Sequence, residues 1–251
     1  MVVGTSTSAP NPNAVMAELR ALLPQANALV DDAPEAWLVS AEPAVLAGDL
    51  ALLVEPLGAD ELRIRIASTA RADELGREIW RVTVAVRDRP GLLAGTAAVA
   101  SQHRLSIAGA RCASWVREGL ALQQVELVSA EANLSGEPDW PWIGQDLRTA
   151  LTGGNRPTTR FLPAGQASVT ITADPVQQRR WRVRMEAPDA VGLLAALCAW
   201  VVDAGANIEA AVIGSRDLDG VLLAVDELVV AAEDDFQFRA QDLADQLSRP
   251  G

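Results

Sequence analysis

The chain has 251 residues, 49% of them hydrophobic, and a formal net charge of −12. That apolar content excludes a disordered protein. A pI near 4.6 argues against nucleic acid or an anionic membrane as partner, because phosphate binding needs a concentrated basic face. Lysine and tyrosine are absent, so every formal cation is an Arg; this is a bias of composition with no chemistry attached.

Residues 1–13 have neither the basic start nor the hydrophobic centre of a leader and read as a disordered Ser/Pro tail. No apolar run reaches membrane-spanning length, and the expectation is a soluble, cytoplasmic protein. The segment 14–58 is expected to be helical. Asn13 would cap a helix carrying Val15, Met16, Leu19, Leu22 and Leu23, which Pro24 ends or kinks. Ser40 would cap another through Val45, Leu46, Leu50 and Leu53 that stops before Pro56. Both are apolar on one side and are expected to cover a sheet face.

A first module is placed at 59–153. Glu61 to Thr69 alternates Leu62, Ile64 and Ile66 with Arg63 and Arg65, the pattern of a half-buried strand. Trp80 to Arg87 alternates likewise through Val82, Val84 and Val86. A four-residue corner, Asp88-Arg89-Pro90-Gly91, then leads into a helix expected from Pro90 to His103, with Asp88 placed to cap it. Strands follow over Leu105 to Trp115 and Leu120 to Ser129, joined through Arg117-Glu118-Gly119. Trp140 and Trp142 should anchor a helix over Ile143 to Leu151, and the turn-rich run 153–165 reads as a boundary.

The second module, 154–251, repeats the first. WRVTVAVRDRPGLLA, beginning at Trp80, returns as WRVRMEAPDAVGLLA, beginning at Trp181, at an offset of 101 residues. At that offset Asp88 matches Asp189, Gly91 matches Gly192, Ile107 matches Ile208, Gly119 matches Gly220, Glu126 matches Glu227 and Leu127 matches Leu228. This is an internal duplication. Ser168 to Ala173 corresponds to Glu61 to Ile66; the turn Asp217-Leu218-Asp219-Gly220 joins the last two strands, and Asp234-Asp235 would cap a closing helix over Phe236 to Leu247.

Each unit runs β-β-α-β-β-α, which predicts an α+β fold of two ferredoxin-like modules with antiparallel sheets covered by helices on one face. The usual last strand is missing and a strand stands in front, so each module is expected to be permuted, the leading strand taking the last one's place. The rival is a swap in which 168–173 completes the first sheet. The open second-strand edges, Leu105 to Trp115 and Ala206 to Ser215, could pair with each other or across a dimer.

The D-R-P-G-L-L corner after an alternating strand, with Gly205 to Ile208 (GANI) opening the strand after the second helix, resembles the ACT family of amino-acid-binding regulatory modules. The match covers Trp80 to Val128 and Trp181 to Val229. The wider arrangement, including AWLVSAEPAVLAGDLALL from Ala36 to Leu53, is similar to the end of the bifunctional uridylyltransferase/uridylyl-removing enzymes of nitrogen signalling. Their nucleotidyltransferase motif and metal-binding histidines have no counterpart here, His103 being the single histidine. No catalytic, metal or cofactor site is therefore expected.

A helix N-terminus offers unpaired N–H groups and partial positive charge to a carboxylate. With the resemblance, this implies a small amino acid, plausibly glutamine, held at Asp88, Arg89, Pro90, Gly91 and Leu92 and at Asp189, Gly192 and Leu193. Ser106, Ile107, Asn207 and Ile208 would complete the pockets across an interface. The first corner is favoured, because Ala190-Val191 replaces Arg89-Pro90 in the second. The expected function is a non-catalytic sensor, with a homodimer or a partner enzyme as its assembly. The alternatives are an interaction subunit without ligand and a degenerate remnant of a uridylyltransferase. Cys112 and Cys198 are expected to be buried thiols.

Overall fold

The computed structural model describes residues 11–73, 76–129, 137–152, 167–174, 178–218, 220–232 and 240–247. The expected boundary at 153–165 and the Asp234-Asp235 cap lie outside them. Strands β1 (Leu62–Ala72), β2 (Glu78–Arg87), β3 (Leu105–Trp115), β4 (Leu120–Ser129), β5 (Ser168–Ala173), β6 (Arg180–Pro188), β7 (Asn207–Leu218) and β8 (Val221–Ala231) form one antiparallel sheet. Its order is β1-β2-β4-β3-β7-β8-β6-β5.

The leading strand of each unit lies beside that unit's own core strand, Ile64 opposite Val84 and Ile171 opposite Val183. The permuted arrangement holds, and the swap of 168–173 into the first sheet does not. The two second strands meet at the centre, where Ala110, Arg111 and Cys112 of β3 face Ile213, Val212 and Ala211 of β7. Within one chain, two permuted ferredoxin-like units thus share a single sheet.

Helices α5 (Leu92–Gln102), α6 (Trp140–Thr152), α7 (Leu193–Asp203) and α8 (Ala240–Leu247) cover one face of it. The inward rows Val82-Val84-Val86, Ala121-Val125-Leu127 and Val183-Met185-Ala187 form one continuous core with them. Trp140 packs against Trp80 with ring centroids 5.2 Å apart. Trp142, 60% exposed, only flanks His103, whose Nε2 is 2.8 Å from the Asp146 carboxylate.

The N-terminal helices α1 (Pro12–Leu22), α2 (Asn27–Asp31), α3 (Glu35–Leu38) and α4 (Pro43–Leu50) cover the opposite face of the first unit. Their starts differ from expectation. Asn11 caps α1, accepting the Asn13 amide, and α4 starts at Pro43 while the Ser40 hydroxyl donates to Trp37 O. In both cases a proline, which suits the first helical turn, fixes the start. The helices dock on Ala85, Ala113, Trp115, Leu120 and Leu122, and the Trp115 indole N–H donates to Leu29 O at 2.7 Å. Asp49 of α4, fully buried, accepts Thr83 Oγ1 at 3.0 Å and Arg65.

Pairing corrects the equivalences read at a constant offset. Trp80 faces Leu127 in the first unit, whereas Trp181 faces Val230 in the second. The 101-residue offset therefore holds for the core strand, the helix and the second strand, but β8 is displaced by two further residues. Gly119/Gly220, Glu126/Glu227 and Leu127/Leu228 are accordingly not structural equivalents. The true partners of Gln123, Gln124 and Glu126 are Asp226, Glu227 and Val229. The cause is a longer β7–β8 hairpin, whose strands continue through the pairs Asp217–Leu222 and Leu218–Val221. The front strands are also displaced, Ser168 corresponding to Arg63 and not to Glu61.

Applied to the outer face, this correspondence explains why the N-terminal helices cover the first unit and not the second. Ala85, Ala113 and Trp115 become Glu186, Gly214 and Arg216, and the second unit carries an ion-pair ladder there. Arg184 bonds Glu227 at 2.5 Å and Glu186 at 2.7 Å, and Arg216 bonds Glu186 at 2.8 Å.

Candidate functional site

Each corner is built by a core strand that ends in an acidic residue, followed by a glycine and a helix. Gly91 (φ +88°) and Gly192 (φ +92°) stand at the helix N-caps in left-handed backbone, which side chains with a Cβ rarely adopt. The helices therefore begin at Leu92 and Leu193, two residues later than expected from Pro90, and no side chain caps either start. The Ser114 side chain and the Arg89 amide favour the charged form of Asp88, and the Ala190 amide that of Asp189. The amides of Asp88 and Asp189 donate to Gly119 O (2.9 Å) and Leu222 O (2.8 Å), holding each corner to its own hairpin.

Two small cavities lie at these corners, and each takes walls from both units. The first, about 20 Å³, is lined by Asp88, Arg89, Gly91 and Leu92 together with Asn207 and Ile208 of the second unit. The second, about 30 Å³, is lined by Asp189, Gly192 and Leu193 together with Ser106 and Ile107 of the first. Of the sequence-selected residues, only Pro90 is absent from both linings, standing exposed on the corner. Each cavity has room for one or two water-sized groups.

The second corner also adjoins a groove of about 540 Å³ that shares Ser106, Asp189 and Ser215 with the cavity. The groove carries Arg71, Arg77 and Arg216 alongside Glu126, Asp73 and Asp217. Sequence reasoning passed over these groups because they come from hairpin ends on three different strand pairs. Arg71 bonds Glu126 at 2.6 Å and Arg77 bonds Asp73 at 2.6 Å.

Burial is the main influence on the acids. It raises the carboxyls of Asp88 and Asp189 against their hydrogen bonds. Asp226, on β8 beneath the second corner, is pushed to about 7 by burial and by the Asp189 charge. It was missed from sequence, although an acid in the inward row Ala224-Asp226-Leu228-Val230 is the signal that marks it. Burial also raises both thiols, Cys112 to about 12, and both are free. Among the described residues no His/Cys/Asp/Glu group is arranged to hold a metal, and no helix is long and apolar enough to cross a membrane.

No protein-family model and no curated protein matches the chain. Among solved structures it is similar to aspartate kinase from Synechocystis at 15% identity and a TM-score of 0.36, over 61% of this chain and 24% of that one. It is also similar to an unknown protein from Galdieria sulphuraria at 19% identity and a TM-score of 0.25, over 68% of this chain and 87% of that one. The chain thus spans about a quarter of the kinase. The fold assignment, two permuted ferredoxin-like α+β units, rests on the strand order and the paired corners.

Proposed function

We propose that the chain is a non-catalytic regulatory protein that binds a small amino acid at the corners between its two units. The observation that carries this reading is the crossed construction of the cavities, each uniting the helix start of one unit with the second strand of the other. The uncapped first turn suits a carboxylate, and Asp88 or Asp189 suits an ammonium group. A ligand there touches both units at once, so its binding energy acts on the angle between them. Glutamine is the first ligand to test, from the resemblance of the chain to the regulatory end of the uridylyltransferases.

The test is a thermal-shift and calorimetric screen of the full chain with the twenty common amino acids. A ligand at 100 times its Kd should stabilise by about 2.7 kcal/mol. Absence of any shift would remove this reading in favour of an interaction subunit that needs no ligand.

A further inference from the structure

The two corners differ at one buried pair of residues. In the first, Gln123 lines the cavity and its Oε1 accepts the Thr96 hydroxyl at 2.8 Å. In the second, the residue at the place of Thr96 is Leu197 and the residue at the place of Gln123 is Asp226. Both members have changed together, and the change removes the donor while adding a charge.

Asp226 is 1% exposed and lines the cavity with Asp189, Ser106 and Ser215. Its Oδ1 has no hydrogen-bond partner among the described residues. The charge acting on it is that of Asp189, of the same sign, and the titratable groups on the packed helix and central strand are the thiols of Cys198 and Cys112. Arg77 acts on Asp189. A buried carboxylate oxygen that no protein donor answers is expensive to keep, and here it lines a cavity that shares Ser106, Asp189 and Ser215 with a much larger groove.

We propose, resting on the ligand-binding reading above, that Asp226 determines the specificity of the second corner and selects a ligand with a second protonated primary nitrogen: a diamino acid. The side-chain ammonium enters the small cavity and takes the orphaned Oδ1. The rest of the ligand lies in the groove, where its carboxylate would share Arg71, Arg77 or Arg216 with the acids Glu126, Asp73 and Glu186 that already hold them. The first corner, with Gln123 already satisfied by Thr96, has no buried acid at the place of Asp226 and favours a neutral side chain. The two corners thus read different ligands.

The experiment is titration calorimetry on the full chain with ornithine, glutamine and 1,4-diaminobutane, using wild type, Asp226→Asn and the double variant Leu197→Thr/Asp226→Gln. Melting temperature is recorded alongside. Asp226→Asn removes a buried charge, so it should melt no lower than wild type. The expected result is ornithine binding that weakens about tenfold or more in both variants, as loss of a charge-assisted hydrogen bond requires, with glutamine affinity unchanged. Ornithine affinity equal in wild type and Asp226→Asn, with amino acids still bound, overturns the role of Asp226 and leaves the sensor reading standing. Diaminobutane bound by wild type and lost in Asp226→Asn, with no amino acid bound, does the reverse. Absence of binding by all three probes overturns the role of Asp226, and the sensor reading then stands or falls on the screen with the twenty common amino acids.

Discussion

Thr96 of α5 donates its hydroxyl to Gln123 of β4 at 2.8 Å, joining helix to sheet inside the core of the first unit, where both side chains are buried. Thr96→Val should keep the shape and leave the Gln123 oxygen unanswered. The expected loss is about 1–3 kcal/mol by urea unfolding, whereas Thr96→Val/Gln123→Leu should recover most of it.

The second unit should give the chain an inverted pH response. Asp226 sits at about 7 when folded, against about 3.9 for an unfolded Asp. A carboxyl raised by folding holds its proton more tightly in the native state. Its contribution is complete below the unfolded value and is lost as pH rises towards 7. Asp49, Asp88 and Asp189 are raised too and act with the same sign. Stability at ~pH 5.5 should exceed that at ~pH 8 by on the order of 2 kcal/mol, measured by urea unfolding, and Asp226→Asn should flatten the difference.

The N-terminal helices hang on a few groups. Asp49 is fully buried beneath Arg65 and Thr83, and its removal leaves the buried Thr83 hydroxyl without its acceptor, while the Arg65 guanidinium, 37% exposed, keeps access to water. Asp49→Ala should cost about 1–3 kcal/mol. Trp115→Phe, which leaves Leu29 O without its donor, should cost about 1–3 kcal/mol. In limited proteolysis both variants should be cut first within residues 11–58, with the sheet surviving as a resistant fragment.

The corner glycines are required by conformation. Gly91→Ala and Gly192→Ala each place a Cβ at φ near +90° and should cost about 1–2 kcal/mol. For a chain of this size that is a fall of about 2–8 °C in melting temperature, read by calorimetry. Arg104 shows that the position after a helix is more tolerant. It adopts φ +53° where the second unit has Gly205, so Arg104→Gly should be neutral or slightly stabilising.

The fold was legible because the strands alternate and the corners repeat, so element order, permutation and helical face followed from Val82-Val84-Val86 and its echo. The displacement of β8 was not. A slip of two residues leaves every side chain on the face it already occupied, so alternation cannot detect it. The coincidence of Gly119 with Gly220 and of Glu126 with Glu227 pointed to the wrong partners. Only pairing revealed that Asp226 stands where Gln123 does. The helix starts at Pro12 and Pro43 escaped because Asn13 and Ser40 satisfied the capping pattern equally well, and the prolines decided. The groove at the second corner could not be read at all, since the three hairpins that supply its arginines and acids are far apart along the chain.

Within the sheet the seam between the units is three facing residue pairs, from Ala110–Ile213 to Cys112–Ala211, whereas eight join β2 to β4; α5 and α7 pack across the seam on one face. Mechanically this is the line along which the sheet tears when its halves are pulled apart. The two corners lie on either side of it, so, on the proposed ligand binding, an occupant in each would act as a rivet, and the force needed to part the halves would measure how many rivets are in place.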